Sequence, residues 1–125
     1  MAIYENLSCI SLELNAGTVA QYYFVKISGA DGQFIEGAAN TDICVGVAQE
    51  AESTVGNSVA IGYAGISKVK VTNGSITRGA QITCHTDGGA TAAASGDEVQ
   101  GIALSSAAVN DVIDVLLTPS SQLLA

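Results

Sequence analysis

A chain of 125 residues, 48% hydrophobic and only 13% charged, is long enough for one core and carries about half the charge of an ordinary soluble domain. Four Lys and Arg against twelve Asp and Glu give a net charge of −8, which argues against nucleic acid as a partner, because phosphate recognition needs clustered cations, and against an anionic membrane surface. So few charges predict a surface that other protein covers, and no apolar run approaches the ~18 residues of a membrane span.

The chain opens on "MAIYENLSCISLELNAG", with no basic segment ahead of an apolar run, so no signal peptide is expected. Its apolar residues Ile3, Tyr4, Leu7, Ile10, Leu12 and Leu14 have no full counterpart later in the chain. Residues 1–16 therefore read as an N-terminal arm that adds a strand to a neighbouring chain; the alternative is an edge strand of its own domain. "QYYFVKIS", 21–28, is a strand with apolar bulk on both faces, so it packs on two sides. "GADG" is a turn and "QFIEG" returns as a hairpin partner. "DICVGVAQ" and "SVAIGYAG" follow, the latter placing Val59, Ile61 and Tyr63 on one face. In "ISKVKV", Lys68 and Lys70 share one face and Val69 and Val71 the other. "GAQITCHT", a weak "ATAAA", "VQGIALS" and "DVIDVLL" complete the strands, with Ile113, Val115 and Leu117 inward and Val112, Asp114 and Leu116 outward.

The order of these elements repeats. Gly17 stands to Gly74 as Asp31-Gly32 to Asp87-Gly88, Asp42 to Asp97, Gly46-Val47-Ala48 to Gly101-Ile102-Ala103, and Val59 and Ile61 to Ile113 and Val115. The fold class is all-β: a small β-barrel or β-sandwich with a pseudo-two-fold internal repeat and an extended N-terminal arm. The β domain spans 17–118, with half-repeats at about 17–71 and 74–118, and 119–125 form a tail. The glycine of "GVA" and "GIA" lies inside a strand, which predicts a bulge, a sharp bend or close backbone approach.

No constellation for chemistry stands out. Cys84 and His85 adjoin on a strand, so their side chains diverge and share no metal easily. His85 is the sole histidine, with no nucleophile motif beside it. The acid pairs Glu50 with Glu52 and Asp111 with Asp114 read as solvated. Cys9, Cys44 and Cys84 are odd in number and far apart, and read as buried small hydrophobes in a reducing compartment. Catalytic, cofactor and metal residues are all absent from this reading.

Two resemblances bear on function. "SKVKV…NGSITRGAQI" is similar to the lipoyl or biotinyl carrier domain, but the family's Met-Lys-Met or Asp-Lys-Ala tip is missing. "QYYFVKI", "VGVAQEAESTVGNSVAIGYAGISKVKV", "GSITRGAQITCHTDGGA" and "GDEVQGIALSSA…DVIDVLL", in that order over residues 12–118, resemble the head decoration, or capsid cement, proteins of tailed bacteriophages. That resemblance implies a non-enzymatic virion protein made in the host cytoplasm. It implies docking on the outer surface of the head, a homotrimer at three-fold positions and clamping of neighbouring copies of the major capsid protein. Ile3, Tyr4, Leu7, Ile10 and Leu12 are then the candidate capsid or inter-subunit contacts. A glycan-binding surface module is the further alternative, although the chain has no Trp to build a sugar platform.

Overall fold

A computed structural model describes residues 7–122, and the chain is all-β. Among the described residues nine strands form one sheet: β1 (Leu7–Leu14), β2 (Phe24–Ile27), β3 (Gln33–Glu36), β4 (Gly46–Ala48), β5 (Ser58–Lys70), β6 (Gln81–Cys84), β7 (Ala90–Ala92), β8 (Glu98–Ala103) and β9 (Val112–Gln122). Fourteen glycines and short β-branched runs cause this segmentation. The runs favour strands, and several of the turns between them require positive φ, such as Gly17 at 69° and Gly74 at 65°.

The pairings close on themselves. β1 pairs with β3 in parallel; β3 pairs with β2, β2 with β4, β4 with β5 and β5 with β1, all antiparallel. The second half repeats the scheme. β5 pairs with β9, β9 with β8, β8 with β6 and β6 with β7, and a parallel bridge from Ala90 to Val71 brings β7 back to the end of β5. β5 serves both circuits, its first part lying in one and its last part in the other. A closed circuit leaves few unpaired strand edges to recruit stray chains.

Each circuit encloses a core, and the two cores correspond residue by residue. Leu12, Leu14, Val19 and Val25 stand 57 positions before Val69, Val71, Ile76 and Ile82. Phe34 stands 56 before Ala90, Ala48 stands 55 before Ala103, and Val59 and Ile61 stand 54 before Ile113 and Val115. The backbone agrees: Val19 bridges Glu52 as Ile76 bridges Ala107, and Gly56 N–H bonds to Leu14 as Asn110 N–H bonds to Val71. Phe24, Cys44 and Val47 lie outside this correspondence and join the second core from the first half. β2 therefore faces both cores, Phe24 into one and Val25 into the other, as its two-sided sequence predicts.

Three local features depart from simple alternation. The strand expected from Gln21 begins at Phe24, because Tyr22 is left-handed at φ 68°, where its counterpart Gly79 has φ 87°. Tyr63 does not share a face with Val59 and Ile61: Ser8 pairs with Ala64 and Cys9 with Gly62, so Tyr63 is the extra residue of a bulge and is exposed. Cys9 is exposed too, on the open side of β1, whereas Cys44 and Cys84 are buried as the sequence suggests.

The halves are stitched by loops. Segment 37–45 reaches across so that Glu98 and Gln100 donate to the Asn40 and Asp42 carbonyls and the Asn40 amide donates to Asp97 at 2.6 Å. In return Phe24 N–H donates to the Gly88 carbonyl.

Candidate interaction surface

Of the expected contact residues, the structure describes Leu7, Ile10 and Leu12. Ile3 and Tyr4 lie outside the described residues. Residues 7–14, part of the expected arm, are strand β1 of the chain's own sheet, with Ile10 opposite Ile61 and Leu12 opposite Val59. Leu7 is half-buried and Ile10 is 43% exposed, but Leu12 turns into the first core with only 9% exposed. Ile10 and Leu12 share one face of β1, so they differ in depth: Leu12 lies inside the first core and Ile10 at its rim, opposite buried Ile61.

A second apolar surface lies on the outer face of β8, β9 and β5. Leu116, 40% exposed, stands opposite Ile102 on one side and half-buried Ile66 on the other. Next along β9, Asp114 pairs with Lys68 at 3.3 Å, and Val112 follows, exposed. The outward direction of Val112 and Leu116 is legible in the sequence; their meeting with Ile66 and Ile102 depends on register. Val55 and Val109, at equivalent loop tips beside Gly56 and Asn110, are also exposed.

Acidic groups organise the opposite features. Asp42 accepts from the Ala38 amide at 2.8 Å and pairs with Lys26 at 3.0 Å. Partial burial works to raise its pKa, but these donors outweigh it and hold the carboxyl below the usual range. Glu36 shows the reverse: burial, and secondly Asp87, lift it above the usual range despite a 2.9 Å bond from the Ala20 amide. A raised folded pKa gives stability that is complete below the unfolded value near 4.5 and lost as pH rises through the folded value. Glu36→Gln, which keeps an acceptor for Ala20, is therefore expected to melt higher than the natural chain at pH 7, on the order of 2 °C. Thermal melts should show that advantage shrinking as pH falls toward 4.5 and gone below it.

The residues weighed for chemistry have structural tasks. Glu52 caps the Ser53 and Thr54 amides, and Asp111 accepts from Ala108. His85 is partly buried at the rim of a groove with Asn40, Asn73, Thr91 and Asp97. Lys68 and Lys70 stand within β5 rather than at a hairpin tip, so the carrier-domain likeness lacks its attachment geometry. Among the described residues no three His, Cys, Asp or Glu side chains gather as a metal site.

No curated protein matches the chain. Among solved structures, the N base of head fiber gp8.5 in bacteriophage phi29 is similar, with a TM-score of 0.72 at 19% identity, covering 96% of this chain and 100% of that one. At that identity the likeness speaks for the fold. The profile described as phage cement protein matches residues 8–118, the whole span from β1 into β9, and with this match the chain belongs to the phage cement protein family.

Proposed function

We propose that this capsid-associated phage protein docks on the outer surface of the assembled head and clamps neighbouring copies of the major capsid protein, itself as a homotrimer. Its family membership over residues 8–118 carries the reading. The low charge content supports it, as do apolar side chains left exposed on an otherwise well-packed domain, among them Ile10, Val112 and Leu116. The contacts come from Ile3, Tyr4, Leu7 and Ile10 of the N-terminal segment, with the β8–β9–β5 face available to the second partner. Leu12, turned into the core, holds β1 in place.

The energetics are those of a clamp. One copy bridging several subunits makes their separation require simultaneous loss of every contact. A protein that binds the assembled shell and not its free subunits stabilises the shell by mass action. Heads lacking the protein should release DNA at a lower temperature than heads saturated with it, by several degrees. Electron microscopy of decorated heads should show added density at three-fold positions. Equal release temperatures would remove the clamping role, and density elsewhere would remove the trimer.

A further inference from the structure

The sequence offers no cysteine pairing, yet the fold brings two thiols together. Cys44 comes from the stitching loop of the first half and Cys84 from the end of β6 in the second, and both sit in the second core. Cys84 donates to the His85 carbonyl at 3.3 Å. Gly37 is pressed against both: a Cβ there would lie 2.6 Å from the Cys84 sulfur and 3.5 Å from that of Cys44. Both residues are buried, but each stands beside a different opening. Cys44 lines a small cavity of about 50 Å³ with Phe24 and Leu117, and Cys84 lines the polar groove of about 320 Å³ beside His85. A cavity of that smaller size has room for a water-sized molecule and little more.

We propose that Cys44 and Cys84 are a latent disulfide site, closed by hydrogen peroxide reaching the pair through these openings, and that the bond locks the two halves of the fold together. Cys84 attacks peroxide, becoming a sulfenic acid as one water leaves. The Cys44 sulfur then displaces the sulfenic hydroxyl, which departs with the Cys44 proton as a second water. Two thiols lose two electrons and peroxide is reduced to two waters. The neighbouring Cys84 thiol, and then burial, push the Cys44 thiol well up, so it stays protonated and slow to react. The pair accordingly persists as thiols in a reducing compartment and closes only under sustained oxidant. The bond would span a loop of about forty residues, long enough for a large restriction of the unfolded chain.

The test uses the full chain carrying Cys9→Ser, treated with hydrogen peroxide while folded. The intact mass should fall by two hydrogens, and digestion should yield the Cys44 peptide joined to the Cys84 peptide. The melting temperature should rise on the order of 10 °C and return on reduction with dithiothreitol. In a Cys44→Ser chain the Cys84 sulfenic acid should be trapped by dimedone. Three results would overturn the site: free thiols at both positions under exposure that fully oxidises Cys9 in the natural chain, added oxygen without a cross-link, or a cross-link that forms only in denaturant. None of these outcomes depends on whether the protein binds a phage head.

Discussion

Alanine at Gly46 is expected to lower the unfolding free energy by about 3 kcal/mol, and alanine at Gly101 by a similar amount. The two glycines stand 55 positions apart at the same place in the two circuits. A methyl group on Gly46 would overlap the carbonyl of Gly62, a backbone atom of the paired strand that cannot swing aside. On Gly101 it would lie 2.6 Å from a Val115 methyl and 2.7 Å from the Leu116 carbonyl. Both neighbours are fixed: Val115 is fully buried, and the Leu116 backbone is in the ladder with Ile102. Gly56 provides the control. It has open space around its Cα but φ of 95°, so alanine there meets only backbone strain, about 1 kcal/mol. Urea denaturation of the three variants separates the effects. If Gly46→Ala loses no more than Gly56→Ala, close strand approach is not what requires glycine at this position.

Those glycines also show how far the sequence speaks for itself. "GVA" and "GIA" mark a close approach without naming the strand approached, because β5 and β9 enter only through long-range pairing. The alternation in "SKVKV" and "DVIDV" is local, and it places Val69, Val71, Ile113 and Val115 in the core as the structure does. The bulge at Tyr63 is not local: it follows from the register of β1 against β5, which neither strand carries alone. Tyr22 hides its left-handed backbone in the same way, since nothing in "QYYF" announces what the glycine of "TRGA" does at the equivalent place. The correspondence of "LEL" with "VKV" is concealed because only parity is shared, with no glycine or aspartate to mark it. This is why the first half reads as beginning at Gly17, although its core begins at Leu12. The closeness of Cys44 and Cys84 depends on the stitching loop and has no signal in the spacing.

Aspartate at Leu12 is expected to prevent folding, while aspartate at Ile10, two residues away on the same strand, leaves stability within about 1 kcal/mol of the natural chain. Leu12 packs with Leu14, Val25 and Phe34 in a core that offers a carboxylate no partner. Burying that charge takes about 4 kcal/mol or more, a large part of what a domain of this size has in reserve. Ile10 is 43% exposed, so its replacement stays in water. The difference matters for docking, because a deletion through residue 12 would remove β1 from its circuit and abolish head binding whatever the segment touches. Ile10→Asp keeps the circuit and changes a half-exposed side chain at the rim of the first core. Circular dichroism should find the Ile10 variant folded, and sedimentation with undecorated heads should find it bound at least tenfold more weakly, a loss of about 1.4 kcal/mol. Undiminished binding by the folded Ile10→Asp chain would exclude β1 from the contact, and Leu116→Asp on the β8–β9–β5 face would then have to show the loss.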